Sequence, residues 1–156
     1  MTAILYEALL AELDGQAVEV YEERMKQTIK GLYGENVIWI NKSIPTTVEK
    51  ACILAEELGH HFTTSGNIID QQSIPNRKQE KLARSWAYNK LVPLSSIVQA
   101  HKKGIRNRHE LAEYLGVTED FLDSAINRYQ EKHGISVSFG PYTICFEPLG
   151  VLEFFE

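Results

Sequence analysis

Hydrophobic and polar positions change their period several times along this chain, and each change marks an element. Ile4, Leu5, Ala8, Leu9 and Ala11 recur at helical spacing. They predict a first helix over residues 2–13, with those side chains as its buried stripe and Asp14-Gly15 as its stop. Residues 17–21 alternate as a short strand. Residues 31–41 read as a hairpin: Leu32 and Tyr33 lead into Gly34-Glu35-Asn36, and Val37-Ile38-Trp39-Ile40 returns as a β-rich run. Thr46 and Glu49 have capping-box spacing and open a helix through Ala51-Cys52-Ile53-Leu54-Ala55 into Glu56-Glu57-Leu58-Gly59-His60-His61. Ser65-Gly66-Asn67 should end it. A polar loop to Pro75 follows, then a second long helix over about 76–92, stopped by Pro93, with Leu82, Ala83, Trp86, Ala87 and Leu91 packed inward.

After Pro93 the pattern shortens to three helices. Ser95 or Ser96 opens the first, which ends near Gly104. Asn107 opens the second, with Glu110 at the capping-box position, and Gly116-Val117-Thr118 separates it from a third ending at His133-Gly134. Short β-runs follow, broken at Gly140-Pro141 and at Pro148-Leu149-Gly150. The expected organisation is α+β: a core over 1–93, a helical module over 94–134 and a short β-rich tail over 135–156. Phe121, Tyr129 and Trp86 fall at apolar helical positions and are assigned to the core. His101, His109 and His133 have no spacing partners and are assigned to the surface.

Composition narrows the function classes. The chain has 156 residues, 44% of them hydrophobic and 24% charged, as in an ordinary globular protein. A net charge of −5 gives no basic footprint for nucleic acid. Cys52 and Cys145 match no zinc-finger or CxxC spacing and are expected as reduced, buried thiols. No apolar run approaches the ~18 residues of a membrane span. The N-terminal segment carries Glu7, Glu12 and Asp14, unlike a secretion signal. The expected compartment is the cytoplasm, with no membrane partner.

The candidate chemistry lies in residues 56–61. Glu56-Glu57-Leu58-Gly59-His60 reads as the zinc-protease helix H-E-x-x-H with glutamate in place of the first histidine. Residues four apart share a helix face, so Glu56 and His60 can hold one ion, and Glu57 stands where the motif places the general base. A catalytic zinc site needs a third protein ligand. Glu80, early in the second long helix, is the best candidate. Arg84, one turn later, is expected to partner Glu56 and offset the gathered acids. His61 is rotated by about 100° from His60, so one straight helix cannot present both equally to an ion.

Glu56-Glu57-Leu58-Gly59-His60, followed by Glu80-x-x-Ala83-x-x-Trp86-Ala87-x-x-x-Leu91-x-Pro93, resembles the ImmA/IrrE family of metallopeptidases, in its phage and prophage type. That family's pattern is H-E-x-x-H, then E-x-x-A-x-x-F-A and a terminal Leu-x-Pro. The resemblance implies a zincin-like core of small sheet, active-site helix and glutamate helix. It implies a metal-dependent endopeptidase, often aimed at a repressor protein. By position, Glu56, His60 and Glu80 would be ligands, Glu57 the general base, and Arg84 and His61 outer-shell residues. The cofactor would be one divalent ion, zinc first, with manganese or iron as alternatives. A second carboxylate in place of imidazole makes the site less positive and its water less acidic, and favours harder ions. A protein that keeps the fold and binds its partner without cutting is the non-enzymatic alternative.

Two further readings concern partners. The strand over 36–41 is a candidate for pairing with an extended substrate, against a plain core role for Val37 and Trp39. Residues 110–122 have a helix-turn-helix-like pattern, with Gly116 in the turn. The second helix opens on Glu119, Asp120 and Asp123, where a recognition helix meets phosphates, so a structural or protein-binding role is expected in place of DNA binding.

Overall fold

The structure, a computed structural model, describes residues 2–63 and 74–153. It is α+β throughout, with six helices and two three-stranded sheets among the described residues. The chain divides into two compact units, Met1–Ala87 and Tyr88–Glu156.

The first unit opens with α1 (Thr2–Glu12) and continues through β1 (Glu19–Glu23), β2 (Gly31–Gly34), β3 (Val37–Asn41) and α2 (Thr47–Thr63) into α3 (Ile74–Leu91). The unit boundary falls inside α3. β3 is the central strand, parallel to β1 and antiparallel to β2. Both of its edges are therefore occupied, which overturns the expectation that residues 36–41 add a substrate strand. The β2–β3 turn places Glu35 and Asn36 at φ 51° and 65°, as a two-residue hairpin requires. β1 begins two residues later than the alternation suggested, because its ladder forms only alongside β3, from Glu19↔Val37 to Glu23↔Asn41.

The core of this unit lies between sheet and helix. Ile38 and Ile40 meet Ala51, Leu54, Ala55 and Leu58, all within 2% of full burial. α1 packs on α2 through Tyr6 and Leu9, whereas Ala8 and Ala11 are exposed, so the buried stripe is narrower than expected. Leu82 is also exposed and Trp86 only half-buried; the inward face of α3 is Ala83, Ala87 and Leu91. Small residues at 83 and 87 let another backbone approach closely, which leaves Leu82 no core to enter. The expected stop of α2 at residues 65–67 lies outside the described residues.

Asn41 is the buried polar hub of this unit. Its Nδ2 donates toward the carbonyls of Met25, Lys26 and Ile29, the last at 2.7 Å, and its Oδ1 accepts from the backbone N–H of Met25 and Ser43. This side chain ties the loop between β1 and β2 to the sheet, beside the main-chain bond from the Asn41 N–H to the Lys30 carbonyl.

The second unit contains α4 (Leu94–Lys102), α5 (Arg108–Leu115), α6 (Glu119–His133) and an antiparallel sheet of β4 (Ser136–Phe139), β5 (Tyr142–Phe146) and β6 (Leu149–Glu153), in that order. α4 starts with Pro93 at its N-cap and no side-chain cap, not at Ser95 or Ser96. Asn107 and Thr118 cap α5 and α6 through the N–H groups of Glu110 and Phe121. Gly116 closes α5 at φ 79°, a conformation that favours glycine. Phe121, Leu122, Ile126, Tyr129, Ile144 and Phe146 form the core. His133 is not free on the surface as expected: its ring lies against those of Tyr129 and Phe146. No disulfide joins the two cysteines; Cys52 is buried, Cys145 only half-buried.

Two outcomes follow for stability. Asn41→Leu strands several buried backbone groups at once, and should cost about 3 kcal/mol, read as a lower urea midpoint. Glu22 accepts from Lys50 Nζ at 2.8 Å, which holds its carboxyl below the usual range. Its contribution is full above the ordinary carboxylate value and is lost as pH falls through the lowered one. Lys50→Gln should therefore flatten the acid limb of the stability profile and leave its shape near neutrality unchanged.

Candidate metal centre

The site is built by two helices meeting at a glycine. Thr46 Oγ1 accepts from the Glu49 N–H at 3.1 Å and starts α2. The buried face of α2 is Ala51, Cys52, Ile53, Leu54, Ala55, Leu58 and Gly59. Glu56, Glu57, His60 and His61 lie beside that face, half-exposed. Gly59 meets α3: a Cβ there would fall 2.9 Å from Ala83 Cα, closer than packed atoms tolerate. Ala83 is itself fully buried. Glu80 is one turn before Ala83, and His60 directly follows Gly59. The contact thus delivers Glu80 Oε1 to His60 Nε2 at 3.1 Å. Arg84 Nε lies 3.7 Å from Glu80 Oε2; both side chains are about half exposed, so this pair adds little stability by itself.

The carboxylates feel one another. Burial pushes the Glu57 carboxyl up to about 7, helped by the negative charges of Glu56 and Glu80. Burial also raises Glu56; Glu80 adds to the rise, while Arg84 and Lys30 oppose it. Arg84 therefore touches Glu80 and acts on Glu56 through its field.

β2 roofs this helix. The absence of a side chain at Gly31 lets the strand lie close over Glu57: a Cβ on Gly31 would sit 3.0 Å from Glu57 Oε2 and 2.7 Å from Ile53 Cγ2. Two residues on, the same strand face presents Tyr33, whose hydroxyl lies 2.9 Å from His61 Nδ1. An aromatic chain continues from Tyr33 through His61 and Phe62 to Trp86, the last two stacked at 5.2 Å. Sequence reasoning placed residues 31 and 33 in the hairpin but assigned neither Gly31 nor Tyr33 to the site. The available signal was their separation of two in a β-run, which puts both on one face.

The donor chemistry suits a divalent ion. One imidazole and two carboxylates are acceptable ligands for zinc, and more so for harder ions. Three acids gathered in a half-buried cleft call for a cation. His60 and Glu80 already stand together. Glu56 makes no direct bond to that pair, and among the described residues no three His, Cys, Asp or Glu side chains form a ligating array.

A carboxylate–imidazole pair thus spans two helices, with the partly buried Glu57 beside it and a short sheet packed over the same helix. The profile of the IrrE N-terminal-like domain, a peptidase family, matches residues 13–127. The chain belongs to this family. No curated protein matches the sequence.

Gly59→Ala should force α2 and α3 apart. We expect a loss of about 2 kcal/mol or more in urea unfolding, together with weaker retention of divalent metal. Unchanged stability would contradict the close crossing.

Proposed function

We propose that the protein is a metal-dependent endopeptidase with a zincin-like core, acting on a protein substrate, a transcriptional repressor of a phage or mobile element. The observation that carries the reading is the His60–Glu80 pair, which joins α3 to the helix that also bears Glu56 and Glu57. Membership of a peptidase family supports it; the choice of a repressor rests on the resemblance alone.

Glu56, His60 and Glu80 would hold the ion, with zinc first and manganese or iron as alternatives. A divalent ion in such a site polarises the scissile carbonyl and acidifies water. Glu57 takes the proton of the attacking water and passes it to the leaving amine. Gly31, without a side chain, lets β2 pass close over Glu57. Tyr33, anchored to His61, supplies a hydroxyl on the same strand face for the substrate oxygen. β2 is an edge strand, paired only with β3 among the described residues. It replaces β3 as the strand on which an extended substrate would add.

The second reading is a protein of this fold that binds its partner and does not cut. The lack of a three-ligand array among the described residues favours it, as does the carboxylate at position 56. DNA binding is disfavoured by α6, whose acids serve internal pairs: Asp123 accepts from Arg108 at 2.6 Å, and Glu119 lies 3.0 Å from His109. We read the helical segment as a protein-binding, helix-turn-helix-like module. Two cysteines that form no disulfide fit a reducing cytoplasm, and no described helix is long and apolar enough to cross a membrane.

The test is cleavage of a candidate repressor by the metal-loaded chain, beside Glu57→Gln. The variant should keep its metal and its partner yet cut about a thousandfold more slowly. Cleavage by the variant at the wild-type rate would remove Glu57 from the mechanism. A wild type that binds the partner and never cuts it would establish the second reading.

A further inference from the structure

The second unit holds a cavity of about 360 Å³, at the lower end of the range for ligand pockets. Its floor is apolar and buried: Ile97, Ala100, Leu111 and Val151. One wall is β6, and Leu149, Gly150, Val151 and Leu152 all line it. Successive strand side chains point to opposite faces. Four consecutive residues line one cavity only where it runs along the strand's edge. That edge is open: among the described residues β6 pairs with β5 alone, so it offers unpaired backbone N–H and C=O groups. Leu152 also remains half exposed.

The other wall carries a positioned cation. Arg106 Nη1 donates to the carbonyls of His101 and Ile105, at 2.8 and 3.2 Å. These bonds orient the guanidinium without neutralising it. Among the described residues Arg106 has no carboxylate partner, in contrast to Arg108, which pairs with Asp123 at 2.6 Å and lies 3.9 Å from Glu147. In a chain of net charge −5, an unneutralised arginine at an apolar cavity is a selective feature. Guanidinium groups prefer carboxylate partners.

We propose that this cavity binds an extended peptide segment of a partner protein as an added strand on β6, with apolar side chains in the cavity and one acidic side chain on Arg106. A free carboxylic acid would satisfy Arg106 but leave the strand edge unused. A peptide satisfies both, since main-chain bonds supply affinity and the pocket supplies selectivity. The site lies wholly within the second unit and stands whether or not the first unit cleaves.

The full chain is titrated, by fluorescence anisotropy, with a labelled peptide alternating valine and threonine around one central glutamate. Saturable binding is expected. Glutamine in place of the peptide's glutamate should weaken it about tenfold. Arg106→Gln should weaken the parent peptide to a similar degree and abolish the glutamate–glutamine difference. N-methylation of alternate peptide amides should weaken it at least tenfold. The proposal is overturned if the parent peptide does not bind, if N-methylation or removal of the acid changes nothing, or if a free short-chain fatty acid competes as well as the peptide. The peptide arms need no protein variant, so a folding defect in Arg106→Gln leaves the test intact.

Discussion

The close approach of α2 and α3 at Gly59 is the constraint on which the rest of the first unit's site depends. A side chain at this position would collide with Ala83, so the two helices meet at near-backbone distance. That distance, with the one-turn offset of Glu80 and the single-residue offset of His60, turns two exposed polar side chains into a pair. The sheet contributes the other boundary. Ile38 and Ile40 anchor α2 from below, and Gly31 and Tyr33 bring β2 over the same helix turn that carries Glu57 and His61.

Electrostatics then explains why this surface is unlike an ordinary solvated helix face. Acids spread over an exposed helix repel weakly. Here Glu56 and Glu57 are partly withdrawn from water, Glu56 raises the cost of ionising Glu57, and Glu80 raises it for both. Arg84 and Lys30 offset part of that cost at Glu56. Glutamate at position 56, where the motif has histidine, makes the donor set one unit less positive once an ion binds. The consequence falls on reactivity and metal preference more than on fold, since His60, Glu80 and the helix crossing do not involve that side chain.

Much of this was legible in the sequence because the relevant signals are local. Capping chemistry located α2 and α5 at Thr46 and Asn107, and Gly116-Val117-Thr118 marked the break before α6. The hairpin at Glu35-Asn36 and the stop at Pro93 follow from backbone preferences. The pairing of Glu80 with His60 was accessible only because motif spacing stood in for tertiary structure. What failed was tertiary. Ala8 and Ala11 share a helical stripe with Leu9 yet face solvent, because period shows which residues share a face and not how wide a partner covers it. Leu82 looked like core, but the small residues of α3 are what its neighbour requires. β3 looked like an edge because its parallel partner, β1, lies upstream with β2 between them (Glu19↔Val37), and pairing across such a separation leaves no local pattern. Gly31 and Tyr33 were invisible for a related reason: their importance comes from the helix beneath them.

The most direct test of the account is X-ray absorption at the zinc edge of the zinc-loaded protein. A single imidazole nitrogen, His60, with oxygen donors in the remaining positions is the predicted first shell. Two imidazoles at the ion, which would mean that His61 has left Tyr33 to replace Glu56, or no stoichiometric zinc at all, would contradict it.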